Sequence, residues 1–261
     1  MEASGSCNGK TPCFANIQQA INSAAEGATI RVAEGRYHEN LVISGSKKLV
    51  LEGGWDNNFL HRAPDANLTV IDGDINGDGI GDGGVVRIEA LSGLTITLDI
   101  NGFTIQNGVS EDGGGIFAMA HTSAIVILNL DGNIIRYNNS PNTAGGIGVY
   151  AQDPGANVQS TLTNNILYGN RTVGNGGAML AASSNSINLS VTIINNTVSE
   201  NFADAAGDGL SVIWLHPPCY WKHPSMSRGS TELAIAPPTG LLWEKPPAEE
   251  EWIVTTKHAV R

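Results

Sequence analysis

Asn101-Gly102…Asn107…Gly113-Gly114-Gly115, Gly132-Asn133…Asn138…Gly145-Gly146, Asn164-Asn165…Asn170…Gly176-Gly177 and Asn195-Asn196…Asn201…Gly207-Asp208-Gly209 are four copies of one pattern. The closing Asn recurs at 107, 138, 170 and 201, in steps of 31, 32 and 31 residues. A repeat of that length marks a solenoid, in which each unit buries its apolar face on the next.

Ahead of each Asn pair, apolar residues alternate with polar ones: Val126, Leu128, Leu130; then Val158, Ser160, Leu162; then Leu189, Val191, Ile193. A period of two is a strand with one face buried. Aligning the copies on their Asn residues puts Leu130, Leu162 and Ile193 in one column. The first copy, Ile96, Leu98 and Ile100, is offset by one, which predicts a bulge or an irregular coil there. Strands that return every repeat with the same face inward stack in parallel, about 4.8 Å apart. The expected fold is all-β: a right-handed parallel β-helix with a short N-terminal capping helix. The Asn columns then read as structural, holding tight corners and bonding as stacked amide ladders.

At the N-terminus, Phe14, Ile17, Gln18 and Ile21 fall at helical spacing and Gly27 follows. This predicts an amphipathic helix that covers the open end of the solenoid. Residues 1–26 form that segment, 27–213 the β-helix and 214–261 an atypical tail. Thr29–Tyr37 and Lys48–Trp55 read as the first strands.

The stretches Ile17–Ile21, Ala28–Asn40, Leu51–Trp55 and Thr69–Gly73, with the Gly-rich repeats, resemble secreted bacterial right-handed β-helix proteins of the pectate-lyase-like superfamily. The resemblance covers about residues 7–213. It implies the fold and a secreted or cell-surface location; for activity it leaves lyases, hydrolases, esterases, adhesins and proteins of no known chemistry open.

Cys7 and Cys13 flank Gly9 and Pro12 just before the helix. A disulfide there would staple a loose terminus and imply an oxidising compartment; two free thiols are the alternative. The start, Met1-Glu2-Ala3-Ser4-Gly5, carries no basic and apolar leader, so either a signal peptide has been removed or none existed. No apolar run reaches membrane-spanning length. The chain of 261 residues carries a net charge of −11. That balance, without a Lys/Arg stripe, is a poor match to nucleic acid. A monomer is expected.

From about Trp214 the composition changes. Residues 1–213 hold 25 Asn and the tail none, while four of the five Trp and seven of the 11 Pro fall in the tail. A frameshifted or otherwise unrelated segment is the favoured reading, and a natural C-terminal cap the alternative.

Three groups of residues are candidates for chemistry. In the first, Asp72 to Asp82, oxygen side chains at alternate positions match the first half of a calcium loop: Asp74, Asn76, Asp78, the Ile80 carbonyl and Asp82, with Asp72 as an added ligand. Position twelve is Val85, not the bidentate Glu of an EF-hand, so a weak structural Ca2+ site is expected; an acidic Asp-Gly turn is the bland alternative. In the second, alignment on the Asn puts Ile105, Arg136, Tyr168 and Ser199 in one outward column beside an inward Thr104, Ile135, Leu167 and Val198. Arg136, Tyr168 and Arg171 are therefore candidates for binding a polysaccharide or cell-surface glycan. In the third, Asp99, Asp112 and Asp131 are candidate catalytic carboxylates, and Arg136 a candidate base, for a glycoside hydrolase or polysaccharide lyase. His38, His61 and His121 look scattered, and nucleophilic catalysis has no motif to support it. The expected function is a carbohydrate- or surface-interacting module, with a polysaccharide-degrading enzyme as the alternative.

Overall fold

A computed structural model describes residues 7–63, 65–184, 188–215 and 233–235. It is a right-handed parallel β-helix of about six turns with one short helix. Each full coil contributes one strand to each of three sheets. The first sheet stacks Ala28–Ala33, Lys47–Trp55, Thr95–Asn101, Ile125–Asp131, Asn157–Thr163 and Asn188–Ile194. The second stacks Gly35–His38, Thr69–Asp72, Thr104–Gln106, Ile134–Arg136, Ile166–Tyr168 and Thr197–Ser199. The third runs from Leu41–Ile43 through Val86–Ala90, Ile116–Ala120, Ile147–Ala151 and Met179–Ser184 to Leu210–Leu215 and Leu233–Ile235. A small fourth sheet joins Asn139–Ser140, Arg171–Thr172 and Phe202–Ala203.

Period-two sequence becomes a continuous apolar interior. Ile96, Val126, Val158 and Leu189 share one column, and Ile100, Leu130, Leu162 and Ile193 another. Their burial against the coils above and below is the main stabilising term of a solenoid. The Asn-based alignment needs a correction here. Ile96, Leu98 and Ile100 lie opposite Val126, Leu128 and Leu130 with no bulge. The missing residue lies further on, because Gln106 rather than Ile105 pairs with Arg136, and Ile105 rather than Thr104 joins Ile135. Register does slip within the first sheet, but between Arg31 and Ala33.

Two amide ladders hold the corners. Asn165 Nδ2 donates to the Leu130 carbonyl (2.9 Å), while its Oδ1 accepts from the Asn133 main-chain N–H (2.9 Å) and side-chain amide (3.1 Å). Asn196 repeats this role beneath Asn165, and Asn138, Asn170 and Asn201 form the second ladder. Asn107 is not a rung: Gly108 and Phe103 occupy the rung positions in that coil and donate their N–H groups to Asn138 and Asn133. The left-handed corner geometry belongs to the residue before each rung, Asn164 (φ 56°) before Asn165 and Asn195 (φ 54°) before Asn196. The glycine clusters reflect close approach: a Cβ on Gly145 would stand 2.4 Å from the Arg171 carbonyl oxygen.

The helix spans Ile17–Ser23 and leaves out Phe14, because Asn16 is its extended N-cap (φ −136°, ψ 160°). Asn16 caps it through Gln19 N (2.9 Å), and the Glu39 carboxylate accepts from Ile17 N and Gln18 N. Ile17 and Ile21 point into the core at the open end, as a cap requires. Cys7 and Cys13 are disulfide-bonded, with Cα atoms 5.8 Å apart. Among the described residues no helix is long and apolar enough to cross a membrane. Apart from Trp214, Leu215 and Leu233–Ile235, the tail lies outside the described residues.

Candidate binding face on the second sheet

Strict register brings one residue per coil into a single row along the second sheet: His38, Asp72, Gln106, Arg136, Tyr168 and Ser199. Residues proposed separately, Asp72 for a metal and Arg136 with Tyr168 for sugar, thus stand on one line. The inward neighbours are Ile71, Ile105, Ile135, Leu167 and Val198.

Asp72 is fully buried and surrounded by donors. Its Oδ2 meets Arg36 Nη1 (3.1 Å) and Gln106 Nε2 (2.8 Å); its Oδ1 accepts from Asn107 Nδ2 (2.9 Å) and Asp74 N (3.1 Å). A buried carboxylate is tolerable only when paired and bonded in this way. With its amide N–H committed to Asp72, Gln106 presents Oε1 to Arg136 Nε at 3.0 Å. The carboxylate thereby orients an arginine two coils away.

Beyond Arg136 the row becomes aromatic. The Arg136 guanidinium lies 5.7 Å from the centre of the Tyr137 ring, and Tyr137 meets Tyr168 edge to face at 5.4 Å. Hydrogen bonding to Tyr137 and then to Glu200 pushes the Tyr168 phenol up to about 12, so it remains neutral. Arg171 lies 4.7 Å over the Phe202 ring, with Asp204 at 3.7 Å. Ile134 and Ile166 flank the row on its solvent side, and Ile166 is 41% exposed.

Tyr137 went unnoticed in the sequence. Its backbone is left-handed (φ 53°), at a corner shared with Asn107, Gly169 and Glu200. A bulky residue there is strained, and strain of this kind concentrates at functional sites. The ring is 51% exposed and lies over Gly169, where a Cβ would come 2.8 Å from Tyr137 Cε1. An aromatic residue in a corner column otherwise filled by Asn107, Gly169 and Glu200 was the available signal.

The acidic loop closes on its own main chain. Asp74 Oδ1 accepts from Gly77 N and Asp78 N, and its Oδ2 from Gly79 N. Asp82 Oδ2 accepts from Ile75 N and Asn76 N, and its Oδ1 from Asn76 Nδ2. Asn76 Oδ1 accepts from Asp78 N, and Asp78 Oδ1 from Ile80 N. The donor atoms suit Ca2+ in kind, but calcium wants six to eight oxygens aimed at one point. Here N–H groups face them, and Asp72 turns away to the row. Among the described residues no three His, Cys, Asp or Glu side chains group as a metal cage.

The candidate catalytic carboxylates lie elsewhere: Asp99 and Asp131 are diagonal neighbours on adjacent strands of the first sheet, and Asp112 lies in a turn. Asp99 faces outward on the first sheet and accepts from Asn129 Nδ2 (2.6 Å). Asp131 is exposed on that sheet and accepts from Thr163 Oγ1 (2.6 Å) and Asn164 Nδ2 (2.8 Å). Asp112, in the turn before Ile116–Ala120, accepts from Thr143 Oγ1 and Asn142 Nδ2. Since Thr143 gives its only proton to Asp112, Tyr150 donates to Thr143 (2.9 Å). None of these carboxylates is bonded to Arg136, which belongs to the second sheet. Asn170, in the sequon Asn170-Arg171-Thr172, is fully buried as a ladder rung.

Comparison of the chain with family models, curated proteins and solved structures gives no match.

Proposed function

We propose that the chain is a secreted or cell-surface β-helix module of the pectate-lyase-like kind, monomeric, whose second-sheet face binds a polysaccharide or cell-surface glycan. Tyr137 carries the reading: an exposed ring on a strained backbone, seated over a glycine and beside an arginine held by buried groups. Aromatic faces take the apolar faces of sugar rings, and guanidinium groups donate to hydroxyl and carboxylate oxygens. Arg136, Tyr168 and Arg171 supply such groups on neighbouring coils. The Cys7–Cys13 bridge supports an oxidising, extracellular setting. A weak Ca2+ site on the oxygen side chains of Asp74, Asn76, Asp78 and Asp82, without Asp72, is part of the proposal and is supported by the composition of the loop alone.

A polysaccharide panel tests the reading by measuring retention and products together. Retention without products supports the binding module. Unsaturated, ultraviolet-absorbing ends would reassign the face to a lyase, and new reducing ends without that absorbance to a hydrolase. Retention of no polymer would remove the proposal.

A further inference from the structure

Glu89, His121 and Asp153 follow one another on three successive coils of the third sheet, each step being 32 residues. Glu89 lies in Val86–Ala90, His121 directly follows Ile116–Ala120, and Asp153 lies just past Ile147–Ala151. His121 Nε2 is 3.0 Å from Glu89 Oε1, and Nδ1 is 3.1 Å from Asp153 Oδ2. Arg87 holds the other Glu89 oxygen at 2.8 Å and stacks on Phe117. Among the described residues, Glu89 and Asp153 are the charged groups at ion-pair distance from His121, with Arg87 behind Glu89.

An ionised carboxylate only accepts hydrogen bonds, and a neutral imidazole has one N–H and one lone pair. It can bond one of these carboxylates while turning its lone pair on the other. Only the imidazolium satisfies both at the observed distances.

We propose that Glu89, His121 and Asp153 form a proton-operated clamp across three coils, closed while His121 is protonated and released at one end when that proton leaves. The clamp stands apart from the binding row, so it does not depend on what that row binds.

The sign follows from linkage. Hydrogen bonds to Glu89 and then to Asp153 raise the His121 pKa in the folded state. The contribution to stability is therefore fully present below the ordinary histidine value of about 6.5. It is lost as pH rises through the higher, folded value. Hydrogen bonding to His121 leads the causes that lower the Glu89 pKa. That part is present above the ordinary carboxylate range and is lost as pH falls through the lowered value. The clamp works between these limits, and partial exposure keeps its effect modest.

Imidazole NMR on the full chain, with His121 assigned by comparison with His121→Gln, tests the charge state. The expected result is a midpoint above about 6.5, with both ring nitrogens protonated below it. A midpoint at or below about 6.5 overturns the clamp. Melting curves of the two proteins across pH supply a second readout. The wild-type advantage in Tm should be present at mildly acid pH and disappear as pH rises through the His121 midpoint. An advantage that is constant or grows with pH also overturns it.

Discussion

Gln106 donates to Asp72 at 2.8 Å and accepts from Arg136 at 3.0 Å, so one buried amide couples a buried carboxylate to an arginine at the surface. The amide has one orientation that serves both partners. Gln106→Leu breaks both contacts. It should destabilise the protein by about 1–3 kcal/mol, because Asp72 loses a donor while staying buried. Thermal melts measure the loss, and weaker glycan retention should accompany it. Unchanged stability would mean that Asp72 does not depend on this donor.

Arg136→Lys tests the planar guanidinium directly. A lysine keeps the charge but lacks the fixed donor fork and the ring stacking of arginine. Retention on the glycan that binds wild type should fall nearly as far as in Arg136→Ala, while both variants melt near wild type. Full retention by the lysine variant would reduce the role of Arg136 to charge alone.

Asn165→Ala tests the ladder. It deletes the acceptor for Asn133 and the donor to the Leu130 carbonyl, all in a buried corner. A loss of about 3 kcal/mol is expected from several buried hydrogen bonds at about 1 kcal/mol or more each. Chemical denaturation measures it. Asn129→Ala, on the outer face, should cost much less.

Ser160→Ala should act in the opposite direction. Its hydroxyl points into the core between Leu128 and Val191 and has no partner among the described residues. Removing an unsatisfied buried hydroxyl should stabilise the protein by about 1 kcal/mol, read as a raised Tm.

The acidic loop separates two readings by calorimetry and melting. A weak Ca2+ site predicts heat of binding and a Tm that rises at millimolar calcium and falls on chelation. No heat and an unchanged Tm would leave the loop as a turn held by N–H groups on Asp74 and Asp82.

The fold was legible because a solenoid writes its geometry into spacing. Leu130, Leu162 and Ile193 align from sequence alone and share a column in the structure. Asn107 misled by a single residue. It looks like a rung, but its side chain bonds Asp72 instead, and the error shifted Arg136 against Ile105 rather than Gln106. The site was only half legible. Arg136 beside Tyr168 followed from the period, whereas the join between Asp72 and Gln106 depends on the acidic loop returning to the sheet, which no periodicity encodes. His121 was hidden differently: Glu89 and Asp153 lie one coil length to either side, visible only once the repeat is extended to charged residues.

Central to the account is the Tyr137–Tyr168 face, and affinity electrophoresis through polysaccharide-containing gels tests it most directly. At least one polymer should retard the wild-type chain, and Tyr137→Ala should weaken that retardation about tenfold, the equivalent of about 1.4 kcal/mol, with little change in Tm. Equal retardation of the two proteins by every polymer that binds, or retardation by none, would contradict it.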